Sequence, residues 1–256
     1  MTPAKSPTGE PIDAVYLWSG TGDLRYAVRS LGRYAPWIRK VHVVTAGEAP
    51  KWLARPRERL VLVKHWDLIR DTTATANAIT WRLFRIPELA RRFVLLDETL
   101  FLGAPLEAAD FLTAKGGYRF FTASGDIPAG DAAEALLNAR FGNRSPRKQV
   151  APTPRLLDRN FLEEVNRLWE KQIKQGGVSM ETLYFYFLSD NPLQRGVHEK
   201  IPVTDEVYGR VPMSDAGQVG AMLKGGRKFF SLEGQPSFAA RVRLMLRYWR
   251  RSVFEK

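Results

Sequence analysis

The 256-residue chain contains no cysteine. That excludes disulfides, zinc–thiolate sites and thiol nucleophiles, and it is the composition expected of a cytoplasmic protein. No apolar run approaches 18 residues and no charged-then-apolar leader follows Met1, so neither a membrane span nor a secretory signal is expected. Histidine is scarce, with only His42, His65 and His198. No helix-turn-helix pattern, RNA-binding aromatic motif or zinc finger is present, and nucleic acid is not expected as a partner. Internal repeats and low-complexity segments are also missing.

What is there suits a packed fold. Hydrophobic residues make up 45%, with seven Trp, fourteen Phe and eight Tyr, enough to fill a sizeable core. The length fits one medium-sized domain. Residues 1–10 read as a short flexible leader and 11–256 as a single domain. Within it, 11–150 reads as an α/β core, 151–227 as a helical portion, and 228–256 as a return strand with a basic terminal helix. The 39 basic and 27 acidic residues give a net charge of +12, so the expected partner is anionic. Nucleic acid, nucleoside diphosphates, acidic lipid and polyanionic glycan all satisfy that charge, and only the missing motifs disfavour the first.

Short apolar runs closed by glycine-rich turns read as strands buried on both faces. The first is Ala14 to Trp18, ended by Ser19-Gly20-Thr21-Gly22. Asp23 is the expected N-cap of a helix whose core face is Leu24, Val28, Leu31 and Ala35. Pro36 stops that helix, and Val41 to Thr45 makes the next strand. Further strands are expected at Leu60–Val63, Phe93–Leu96 and Tyr118–Phe121. Helices at 73–85 and 131–141 separate them. This alternation predicts an α/β domain with a mainly parallel sheet flanked by helices. Helices are expected at 161–175 and 179–188, and Lys228 to Leu232 is expected to return to the sheet.

Open parallel sheets bind ligands beyond the carboxyl ends of their strands. That rule selects Trp18-Ser19-Gly20, His65-Trp66-Asp67 and Asp97-Glu98-Thr99. Adjacent carboxylates at a strand end, Asp97 and Glu98, suit Mg²⁺ or Mn²⁺ with a diphosphate completing the shell; a solvated acidic turn is the plain alternative. Arg25, Arg29 and Arg33 lie along one helix face. Near a helix start they could grip a diphosphate, or form a solvated basic stripe. Trp18 could stack on a base or pack in the core. Asn77 could bond a sugar hydroxyl, and His65 could be oriented by Asp67.

Asp23-Leu24-Arg25-Tyr26 through Ser30-Leu31, then Tyr34-Ala35-Pro36-Trp37 and Thr45, resembles the signature block of the Stealth family. These are the sugar-1-phosphate transferases of bacterial capsule synthesis and relatives of lysosomal N-acetylglucosamine-1-phosphotransferase. Ile12-Asp13-Ala14-Val15-Tyr16-Leu17-Trp18 resembles the family's opening block. Arg85-Ile86-Pro87-Glu88-Leu89 and Phe101-Leu102-Gly103 fit later ones. The resemblance implies a nucleotide-sugar-transferase (GT-A-like) core with a helical C-terminal part. It implies an enzyme that moves a hexose-1-phosphate from a UDP-sugar donor to a glycan acceptor hydroxyl. Asp97 and Glu98 would then be catalytic and hold the metal, with His65 beside them. Trp18, Ser19, Asp23, Arg25, Arg29 and Asn77 would contact the donor. Four family positions are replaced, by Ser19, Asn77, Thr99 and Pro152. Proline cannot accept a proton as the family's histidine does, so the alternative is a catalytically silent relative that binds a nucleotide-sugar, a glycan or a partner enzyme.

The terminal segment sets Phe238, Val242, Met245, Trp249 and Val253 on one side and arginines on the rest. That pattern suits peripheral contact with an anionic inner membrane, or a helix docked on the core with a solvated basic face.

Overall fold

The computed structural model describes residues 9–20, 23–45, 47, 52–53, 57–71, 74–144, 146–191, 198–224 and 226–255. Most of the expected leader, along with Thr21, Gly22, Pro50, Lys51 and Thr73, lies outside the described residues.

The amino-terminal half alternates as expected. Strand β1 (Ile12–Trp18) leads to α1 (Leu24–Tyr34), β2 (Val41–Thr45) and β3 (Leu60–Lys64). Short helices α2 (His65–Leu68) and α3 (Ala76–Thr80) precede β4 (Arg92–Asp97) and β5 (Leu100–Leu102). Then come β6 (Arg119–Asp126), α4 (Ala132–Phe141), β7 (Lys148–Val150) and β8 (Arg155–Asp158). Helices α5 (Arg159–Leu168), α6 (Glu170–Gln175) and α7 (Met180–Asp190) follow. The chain continues through β9 (Glu199–Pro202), β10 (Tyr208–Pro212), α8 (Ala216–Lys224), β11 (Phe229–Glu233) and α9 (Phe238–Arg247).

The central sheet has the order β3-β2-β1-β4-β8, parallel except for the antiparallel edge strand β8. Every residue of β2 is buried, as a strand covered on both faces requires. Helix α1 buries Leu24, Val28 and Leu31, with Ala35 at its end, the stripe its spacing predicts, and Ala27 beside them. Its Asp23 occupies the N-cap position but makes no side-chain cap bond.

Several expectations are corrected. The helix expected over 73–85 is α3 followed by a 3₁₀ turn, Leu83–Arg85; the break falls where the Trp81 indole bonds the Val178 carbonyl at 3.0 Å. Lys228–Leu232 does not rejoin the central sheet. As β11 it pairs with β10 and β5 in a separate three-stranded sheet. There Gly103 is needed for close approach, since a Cβ at that position would sit 2.1 Å from the Arg227 carbonyl. Strand β6 lies in a third sheet with β7 and β9. The terminal helix ends at Arg247, and the chain then turns back along α1, burying Tyr248 and Phe254. Among the described residues no helix is long and apolar enough to cross a membrane.

One polar group organises the amino-terminal edge of the sheet. Asp13 is fully buried and accepts from Arg39 Nε and Nη2, the Lys40 and Ala90 amides, and pairs with His42 Nε2 at 3.1 Å. Burial alone would raise its pKa. The hydrogen bonds from Arg39, His42 and Ala90 outweigh that and hold it at about 2.

Candidate active site

Register fixes the carboxyl rim of the central sheet. Lys64, Thr45 and Trp18 are neighbours across β3, β2 and β1. Leu17 faces Asp97 on β4, and Leu95 faces Arg155 on β8. Because β8 runs antiparallel, its first residue arrives at the rim where its parallel neighbours end. Arg155 is therefore delivered beside Asp97.

Two linked contacts result. The Ser19 amide and hydroxyl donate to Glu98, at 3.0 Å to Oε2 and 2.5 Å to Oε1, tying the loop after β1 to the loop after β4. Next to it, Arg155 Nη2 donates to Asp97 Oδ2 at 3.0 Å and Nη1 donates to Glu181 Oε1 at 3.0 Å. Arg155 is buried, while the Asp97 side chain is 44% exposed. Burial disfavours the guanidinium's charge, but Asp97 and Glu181 more than offset it and raise its pKa. A fixed, desolvated cation with a planar donor fork thus sits at the sheet's ligand-binding edge. Arg155 was not picked out from the sequence. Its signal was a lone charge in the otherwise apolar Pro154-Arg155-Leu156-Leu157.

Beside this rim lies a cavity of about 460 Å³ whose lining includes Gly20, Asp23, Thr99, Gln235 and Arg241. Gly20 and Thr99 directly follow Ser19 and Glu98. Asp23 Oδ2 is buried without a hydrogen-bond partner and lies 4.0 Å from Arg241 Nε. Burial pushes the Asp23 carboxyl up, and the Arg241 charge draws it partly back.

The remaining expected site residues are placed differently. His65 is buried with Nδ1 3.3 Å from the Thr45 carbonyl, and Asp67 is exposed on the lining of another cavity. His65 follows β3, three strands from β4, so at ~4.8 Å per strand it stands roughly 14 Å from Asp97. The structure does not bring those two together. Asn77 donates to the Val178 carbonyl at 2.7 Å and accepts from the Met180 amide at 3.0 Å. Both ends of its amide are used in joining α3 to α7.

Arg25 and Arg29 share a face as expected, but that face meets the chain terminus. Arg29 Nε and Nη2 donate to Glu255, and Nη1 donates to the Tyr248 carbonyl. Arg25 Nε also donates to Glu255 at 3.1 Å. Glu255 is buried, which by itself would raise its pKa, yet bonds from Arg29, the Ser252 amide and Arg25 bring it below the usual range. Arg29 is an internal anchor. Arg25 keeps 42% of its side chain exposed, with its guanidinium 5.9 Å from the Trp52 ring centre. Trp18 is partly buried against the core.

The carboxylate pair does not by itself make a metal cage. Glu98 is bonded through both oxygens to Ser19 and Asp97 through one to Arg155. Among the described residues no group of three His, Asp or Glu side chains gathers.

The fold defines the class. The galactosyltransferase LgtC, solved in complex with donor and acceptor sugar analogs, superposes with a TM-score of 0.50 at 11% identity, covering 94% of this chain and 97% of that one. The chain therefore has the GT-A-like α/β fold. Residues 18–120 match the family model for Stealth protein CR2, conserved region 2. An exopolysaccharide phosphotransferase of Streptomyces coelicolor is 34% identical over 161 residues, 56% of this chain and 17% of the relative. The capsular polysaccharide phosphotransferase WcwK of Streptococcus pneumoniae is 34% identical over 125 residues, 48% of this chain and 38% of that protein. The exopolysaccharide phosphotransferase CpsY of Mycobacterium leprae is 30% identical over 205 residues, 70% and 38% of the two chains. The chain spans well under half the length of these curated relatives. The expected resemblance to the Stealth family is thus borne out over residues 18–120.

Proposed function

We propose that this chain transfers a hexose-1-phosphate from a UDP-sugar to a glycan hydroxyl in capsular or exopolysaccharide synthesis. The observation that carries the reading is the buried Arg155 at the carboxyl rim, held between Asp97 and Glu181. Phosphoryl transfer depends on positioning and on positive charge at the phosphates. In this reading the acceptor hydroxyl gives its proton to water, its oxygen bonds to the phosphorus bearing the sugar, and UMP departs with the electrons of the broken P–O bond. Arg155 faces the diphosphate and Trp18 stacks on the base. Ser19 and Asp23 border the sugar, and Arg25 extends the positive rim. Asp97 sets the Arg155 fork. Glu98 shapes the loop through Ser19. The assay compares Mg²⁺ and Mn²⁺ with a chelator. The acceptor side is read as the cytoplasmic face of an anionic membrane, met peripherally by the terminal helix.

A second reading, a silent relative that binds a nucleotide-sugar without turning it over, is favoured by Pro152 and by the internal commitment of Asn77. Neither offers a base to the acceptor hydroxyl. Phosphorus NMR separates the two. With a panel of UDP-sugars and capsule oligosaccharides, the transferase reading expects a new phosphodiester resonance together with UMP. UDP-sugar binding with no such resonance under any metal condition would establish the silent reading instead.

A further inference from the structure

We propose that α9 and the turn after it form a docking surface for anionic phospholipid, with headgroup phosphates held in an arginine-lined cavity between α1 and residues 246–253. This rests on the membrane-side reading above and names the lipid chemistry and the side chains that hold it.

The cavity is about 570 Å³, and its lining includes Arg33, Arg247, Arg250 and Arg251. Leu246 and Trp249 also line it, yet are 67% and 64% exposed. Phe238 is 84% exposed and Met245 is exposed on the same helix. Of the six large apolar side chains exposed among the described residues, these are four, the others being Trp66 and Leu168. Clustered apolar exposure of this kind marks an interaction surface.

The charge around it has one sign. Arg241, Arg243, Arg247, Arg250 and Arg251 lie in this segment, while its single acid, Glu255, is buried against Arg25 and Arg29. The Arg250 guanidinium stands 5.3 Å from the Trp249 ring centre, placing a cation and an amphipathic ring side by side. Aromatic and aliphatic residues interleaved with arginine suit the boundary between acyl chains and headgroups. Arginine forks match phosphate oxygens. Arg241 is offset by Asp23 at 4.0 Å, but a protein partner with an apolar patch would leave the other four guanidinium groups without an anion, whereas an anionic bilayer offers both phosphate and hydrocarbon. The patch is also fixed to the core, because Glu255 pins the strap to α1 and the Tyr248 hydroxyl donates to the Leu102 carbonyl at 3.2 Å. No folding is needed on contact.

The test is co-sedimentation of the whole chain with vesicles of phosphatidylcholine alone or with phosphatidylglycerol added. Binding to the anionic vesicles is expected to exceed that to neutral ones by about tenfold at low salt and to fall as salt rises. Leu246→Ser with Trp249→Ser is expected to weaken it about tenfold, and Arg250→Gln with Arg251→Gln to flatten the salt dependence. These side chains are exposed, so an unchanged unfolding midpoint accompanies the loss. Equal affinity for both vesicle types would overturn the proposal. So would displacement by millimolar glycerol phosphate, or loss of self-association rather than of vesicle binding in the Leu246/Trp249 variant. UDP-sugar binding measured on the same variants stays at the wild-type level if only this surface is affected, which separates failure here from failure of the transferase reading.

Discussion

Replacing Asp13 with alanine is expected to destabilise the protein by about 3–5 kcal/mol, because it removes the one carboxylate on which the Arg39 guanidinium and several buried donors converge. Arg39, His42 and the Lys40 and Ala90 amides all converge on it. Urea denaturation at neutral pH reads the loss directly. The pH dependence gives a second signature. Asp13 is held at about 2 in the folded state, against ~3.9 in an unfolded chain. A depressed pKa contributes stability that is present above the unfolded value and lost as pH falls through the folded one. About 2–3 kcal/mol should therefore disappear progressively between roughly pH 5 and pH 1. That part of the profile should be missing from Asp13→Ala, although Glu255, shifted in the same direction, keeps some slope.

Arg155→Met is expected to act mainly on donor binding. Loss of a charged hydrogen-bond donor to a diphosphate is worth about 2–3 kcal/mol, roughly 30- to 150-fold in Kd. The stability cost should be smaller, about 1–2 kcal/mol, because Asp97 and Glu181 are partly exposed and water re-solvates them once the cation is gone. Affinity falling far more than stability is the pattern of a ligand-facing group. A core ion pair would show the reverse.

The sequence carried β1, α1 and β2 clearly, because buried apolar runs closed by glycine, proline and a capping residue are local signals. The family resemblance fell on the same stretch, and the GT-A-like fold followed from it. What was lost was non-local. Four-residue β8 has only Leu156 and Leu157 between Arg155 and Asp158, too short an apolar run to mark a strand, and its position became clear only through antiparallel pairing with β4. The Arg25/Arg29 face was read correctly from helical spacing, but its partner Glu255 lies 230 residues from Arg25, and no local pattern joins them. Asn77 offered the right chemistry for a sugar hydroxyl. Its two backbone partners, Val178 and Met180, lie at the start of α7, about a hundred residues away. Thus strand ends located the rim, while the identity of its cation required tertiary pairing.

The most direct measurement is calorimetric titration of UDP-sugars into the wild-type chain and into Arg155→Met. Wild type is expected to bind saturably and the variant at least ~30-fold more weakly, with both proteins folded. Equal affinities, or no binding of any UDP-sugar to the wild-type chain, would contradict it.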